Sequence, residues 1–200
     1  MPDQNPPPPP PGLLRRWFSR LKAFCMLAGA WGFLFSVNSL IGFQAGFEYD
    51  DGLVYSTPAF QAAEKDKLEP GTPDYWNAVN RSYVYERVKP LPWLAAWTLK
   101  AFGVKIAFFC DRGPEGSDGL EAAWRPLADY FYFPKNEDEK YRILERRRFV
   151  LYAAASDSGI IQARKAGVRP LRVKRSHSSA LKADYNPGKF SERVLPLSQF

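Results

Sequence analysis

The stretch FEYDDGLVYSTPAF, Phe47 to Phe60, closes an apolar segment with two acids one residue apart, Glu48 and Asp50, and then turns through small and polar residues. Phe43–Tyr49 has the length and apolar content of a buried strand, stopped by the acids and Gly52. Outward from it the pattern alternates. PLPWLAAWTLKAFG carries Leu91, Leu94, Ala95, Thr98 and Leu99 at helical spacing and ends at Gly103. VKIAFFC predicts a second buried strand, halted by Asp111, Arg112, Gly113 and Pro114. A helix is predicted around Gly119–Tyr132, a charged amphipathic helix at DEKYRILERRR and a third strand at FVLYAAA. SGIIQARKAG reads as a helix closed by Gly167, and RPLRVKR as a fourth strand.

Strands separated by helices require crossover connections, hence an α/β fold with a parallel sheet covered on both faces. Pro58, Pro70 and Pro73 punctuate a small insertion around the charged run EKDKLEP. In such sheets ligands bind at the C-terminal ends of the strands. Glu48 and Asp50, Cys110 and Asp111, and Ser156 and Asp157 all fall at such ends.

The N-terminal region is of another kind. Pro6 to Pro11 is an unbroken proline run and should be extended polyproline II. Arg15, Arg16, Arg20 and Lys22 follow, and Ala23 to Phe47 is then free of charge. About 20 such residues in a helix span a bilayer. The preferred reading is an uncleaved anchoring helix over residues 15–41, its firmest part Trp17 to Val37, after a cytoplasmic arm at 1–14 and before a domain at 42–200. The basic flank puts the N-terminus in the cytoplasm. A cleavable secretory signal, with Ala28–Ala30 loosely like a cleavage site, and a buried helix of a soluble protein are the rival readings.

Two hundred residues hold one domain and an appendage. Formal charge is +7, but Lys140 to Arg193 holds fourteen Lys and Arg against four Asp and Glu. That excess fits a solvated surface or a membrane-associated protein; no aromatic stacking motif accompanies it, so nucleic acid is not expected as a partner. Cys25 and Cys110 make no disulfide framework, the single histidine, His177, lies in a Ser-rich turn, and zinc-ligand spacing is absent.

From Phe47 to Phe200 the chain resembles the haloacid dehalogenase (HAD) superfamily and, within it, the class B bacterial acid phosphatases. FEYDDGLVYSTPAF is similar to that family's first motif, PDYWNAVN to its insertion, and KIAFFCDR to its second motif. EKYRILERRRFVLYAAASDSG resembles the stretch holding its active-site lysine and last acidic motif. The resemblance implies a HAD/Rossmann-like domain. It also implies a chemistry in which an aspartate attacks phosphorus, a second aspartate protonates the leaving group and Mg²⁺ neutralises the transferred oxygens.

Carried over residue by residue, the acid/base position is Asp50, the lysine Lys140 and the second-motif arginine Arg112. The nucleophile position holds Glu48, the Ser/Thr position Cys110, and the metal-binding acid position Ala155. Asp157 survives, while the last acid of that run is Gly159. The extra methylene of Glu48 moves its oxygens by about 1 Å, an error that costs on the order of a hundredfold. The expectation is therefore a pseudoenzyme without catalytic residues, metal or cofactor, acting as an accessory or scaffold subunit of a complex in the bacterial inner membrane. Its domain would be periplasmic, and its partners would be other membrane subunits and the lipid bilayer. The alternative is a membrane-tethered, Mg²⁺-dependent acid phosphatase using Glu48, Asp50 and Asp157. Tyr75, Trp76, Tyr83 and Tyr85 are candidates for a remnant substrate pocket.

Overall fold

The computed structural model describes residues 13–200, with side chains from Arg15 onward. The proline run lies outside the described residues. Helix α1 covers Leu13–Ile41, longer at both ends than the Trp17–Val37 stretch. Its apolar span, Arg15–Ile41, is long enough to cross a membrane and is exposed rather than packed into a core. A core helix would be buried in the domain, which α1 is not; an anchor and a secretory signal both fit such a helix. Gly42, at φ +73°, ends the helix, and its amide donates back to Asn38 O at 2.9 Å.

Strand β1, Gln44–Glu48, begins directly afterwards. A short hairpin of β2 (Val54–Tyr55) and β3 (Arg87–Val88) encloses α2 (Thr57–Lys65), α3 (Pro73–Arg81) and the 3₁₀ turn Ser82–Tyr85. Then follow α4 (Pro90–Ala101), β4 (Lys105–Phe109), α5 (Asp118–Trp124), β5 (Tyr130–Tyr132), α6 (Glu137–Arg146), β6 (Phe149–Ala154), α7 (Asp157–Lys165), β7 (Arg169–Arg172) and β8 (Arg193–Val194). The six long-range strands form one parallel sheet in the order β5-β4-β1-β6-β7-β8.

The single helix expected over Gly119–Tyr132 is instead α5 followed by β5. Pro126 has no amide to continue the helical hydrogen-bond ladder, and Asp129 then pairs with β4, accepting from Ile106 N at 2.8 Å. The edge strands β5 and β8 are too short to register as periodic patterns.

Alternation along the strands divides the core. Ala45, Phe47, Tyr49, Ile106 and Phe108 pack with Ala96 of α4 and Leu120 of α5 on one face. Ala107, Phe109, Tyr152 and Ala154 pack with Leu144 of α6 and Ile160 and Ala163 of α7 on the other. The period of two puts Glu48 on the α6/α7 side, in line with Gly46. Gly46 is the close approach in β1: a Cβ there would come within 2.6 Å of Tyr152 Cδ2 and 3.0 Å of Phe109 Cε2. We expect Gly46→Ala to lower stability by about 1–3 kcal/mol, read as a shifted denaturation midpoint in detergent.

Candidate active site

Three strand ends converge at the C-terminal edge of the sheet. Glu48 closes β1 and is 1% exposed. Its Oε2 accepts from the backbone amides of Ala155 at 2.7 Å and Ser156 at 2.9 Å, and its Oε1 accepts from Ser156 Oγ at 2.5 Å. Ser156 is the N-cap of α7, and its Oγ also accepts from Gly159 N at 2.9 Å. The carboxylate thus sits on the positive end of a helix, a ready-made anion site. Ala155 leaves the space in front of β6 without a side-chain oxygen, and a Cβ on Gly159 would collide with Glu48 Oε1.

Lys140 reaches the same point from α6. Its ammonium lies 3.7 Å from Glu48 Oε1, 2.9 Å from Asp111 Oδ1 and 3.4 Å from Glu137 Oε1. Burial pushes the Lys140 pKa down, but the surrounding carboxylates outweigh it and hold the ammonium above its ordinary value.

A second cluster is separate from the first. Arg112 forks onto Asp50, with Nη2 on Oδ1 and Nε on Oδ2, and Nη2 also donates to Glu86 Oε1 at 2.8 Å. Glu86 Oε2 accepts from Tyr49 OH at 2.5 Å, and Tyr49 OH accepts from Trp124 Nε1 at 2.9 Å. The guanidinium also lies over the rings of Tyr49 and Phe60, at 5.3 and 5.2 Å from their centroids. Two buried carboxylates share one cation, which leaves one negative charge in excess. Burial accordingly raises Glu86 to about 7, against the pull of Arg112.

The remaining positions do not join these clusters. Asp157 turns away: its Oδ1 accepts from Arg172 Nη2 and Asn186 N, and its Oδ2 from Asn186 Nδ2, all at 2.8 Å. Cys110 is fully buried, and burial raises its thiol well above the ordinary value. Glu48, Asp50 and Asp157, the ligand set of the alternative, therefore face three different partners. Among the described residues no group of three or more His, Cys, Asp or Glu side chains could hold a metal ion.

The aromatic candidates also separate. Trp76 lines a cavity of about 320 Å³ with Asp111 and Arg112, whereas Tyr83 lines another with Trp93, Trp97 and Trp124. Tyr75 packs among Phe60, Ala63 and Val79, and Tyr85 is exposed.

Asp111 and Ser156, which the sequence places at the ligand edge, and Glu86 and Arg172, which it does not single out, carry much of the site's electrostatics. Asp111 had a signal, a charge just past a strand. Glu86 lies in an irregular segment, and Arg172 sits inside a strand pattern where its pairing with Glu192 at 2.8 Å is invisible.

No family model matches the chain. A class B acid phosphatase from Edwardsiella ictaluri is 29% identical over 175 residues, covering 78% of this chain and 71% of that protein. A second, from Klebsiella pneumoniae, is 27% identical over 189 residues, covering 82% and 77%. The chain is similar to class B acid phosphatases. Two solved structures share the α/β fold at 15% identity and TM-score 0.51: a protein assigned as a β-phosphoglucomutase from Thermotoga maritima, covering 78% of this chain and 95% of that one, and CbbY from Rhodobacter sphaeroides, covering 77% and 93%.

The shared guanidinium predicts a pH effect. Glu86 binds a proton in the folded state between about pH 4.5, its ordinary pKa, and about pH 7, where the unfolded chain has released it. Its contribution to stability therefore falls as pH rises through that window. We expect the stability of the natural chain relative to Glu86→Gln to drop on the order of 2–3 kcal/mol across it, measured by denaturant unfolding at each pH. A flat difference would contradict the buried excess charge.

Proposed function

We propose that this chain is a membrane-anchored, non-catalytic relative of the acid phosphatases, serving as an accessory or scaffold subunit of a membrane complex. The observation that carries the reading is the clasp of Glu48 by the α7 N-terminus. A phosphoryl group needs a free nucleophile in line and a cation beside it. Here the carboxylate at the nucleophile position is occupied by two amides, a hydroxyl and a lysine. The residues do not fit Mg²⁺: Ala155 and Gly159 offer no side-chain oxygens, and Asp50 and Asp157 are committed to arginines. A hard cation that demands near-octahedral oxygen ligands has too few donors.

The helix α1 supports anchoring, and its basic N-terminal flank supports a cytoplasmic N-terminus with the domain across the bacterial inner membrane. Gly29 and Gly32, where an added Cβ would meet nothing, leave room on α1 for a partner helix. The second reading, a tethered phosphatase, is favoured by the names of the relatives and by the retained Asp50, Arg112 and Lys140.

An assay of the purified full chain with a generic phosphomonoester separates the two. We expect no Mg²⁺-dependent turnover above background. Glu48→Asp and Ala155→Asp should fail singly and restore turnover only together, with Cys110→Thr strengthening it, because attack and charge neutralisation act as a unit. Turnover in the natural chain that Glu48→Gln abolishes would establish the phosphatase instead.

A further inference from the structure

The opposite edge of the sheet carries the other sign of charge. In a parallel sheet every strand starts on one edge, so the C-terminal ends of the preceding helices gather there. Lys105 opens β4, Arg146 closes α6, Arg147 and Arg148 lead into β6, and Arg164 and Lys165 occupy the last turn of α7. All six side chains are exposed. The acids at this edge are Glu145, hydrogen-bonded by Tyr141, and Asp129, which Lys100 pairs at 3.4 Å.

The anchoring helix enters at this same edge. Arg148 Nη1 donates to Ile41 O, the last residue of α1, at 2.6 Å. Trp31 Nε1 donates to Ala101 O at 3.1 Å and Asn38 Nδ2 to Phe102 O at 2.7 Å, so the final turns of α1 run beside the C-terminus of α4. Only Gly42 and Phe43 separate α1 from β1. The connection has no slack. Below the Trp31 contact, the stretch of α1 from Arg15 to Ala30 is about 24 Å long against a hydrocarbon core of about 30 Å, so the contacts draw the domain down onto the membrane surface. An edge tied to the helix end therefore lies at the level of the lipid headgroups, beside exposed Phe102 and Val150.

We propose that this edge rests on anionic phospholipid headgroups, the Lys and Arg side chains engaging lipid phosphates and holding the domain with its Glu48 edge facing away from the bilayer. The proposal rests on α1 being a membrane helix. The complementary charge and the rigid continuity with α1 select lipid over a soluble polyanion.

The test uses the full chain with Cys25→Ser and Val150→Cys, labelled with an environment-sensitive fluorophore; Cys110 is buried and escapes labelling. It is reconstituted in nanodiscs of phosphatidylcholine, alone or with phosphatidylglycerol, containing a headgroup spin-labelled lipid. We expect quenching at least about threefold stronger in the anionic discs. The difference should vanish in about 0.5 M salt. It should also vanish in Lys105→Gln/Arg146→Gln/Arg164→Gln/Lys165→Gln, and return when those four positions instead exchange Lys for Arg and Arg for Lys. Equal quenching in both discs would overturn the proposal while leaving the anchor intact. Quenching relieved by an added RNA oligonucleotide and indifferent to lipid charge would overturn it in favour of nucleic acid. Release of the chain from both kinds of disc by alkaline carbonate would remove the membrane reading of α1, and the proposal with it.

Discussion

The seat of Glu48 on the first turn of α7 ties the central strand β1 to the crossover from β6, and much of the domain's charge is arranged around it. Hydrogen bonds to a charged group contribute about 1.5–3 kcal/mol each, and Glu48 accepts three within normal range. The helix dipole favours the same charge. Lys140 closes the arrangement from α6, so one carboxylate draws together β1, α6 and α7. Removing it would leave the amides of Ala155 and Ser156 without their acceptor, a loss of about 1–3 kcal/mol for each unsatisfied donor, while Lys140 keeps Asp111 and Glu137. An aspartate, one methylene shorter, would stop about 1 Å short of the amides.

The same principle governs the rest of the buried charge. Arg112 gathers Asp50 and Glu86; Arg172, fully buried, gathers Asp157 and Glu192 and binds the C-terminal segment to α7. Lys89, 1% exposed, donates to Asp51 O and Lys174 O at 2.6 Å each, and burial lowers it to about 8. These buried charged groups satisfy one another and the backbone around them. The domain is left with an acid-rich edge at the strand C-termini, its carboxylates sharing Lys140, Arg112 and Arg172, and a basic edge at the strand N-termini, where α1 enters.

How far the sequence alone reaches follows from the physics of each feature. The strands β1, β4 and β6 and the helices α4, α6 and α7 are legible because burial on both faces forces apolar runs, and helix burial forces a 3.6-residue period. β5 and β8 escape because three and two residues carry no period, and their pairing is a tertiary decision. At the site, the spacing of Glu48 and Asp50 and the small residues Ala155 and Gly159 can be read directly. That Glu48 would turn to the α7 amides, that Asp111 would take Lys140, and that Glu86 would share Arg112 cannot. Those contacts join residues 26 to 108 positions apart.

The central claim is that the Glu48 carboxylate is satisfied by the protein and leaves no place for a divalent cation. Anomalous diffraction from crystals soaked in Mn²⁺ tests it most directly. The account predicts no anomalous peak beside β1, with Glu48 still accepting from the amides of Ala155 and Ser156. A peak within about 2.3 Å of oxygens from Glu48 and Asp50, with the amides released, would contradict it.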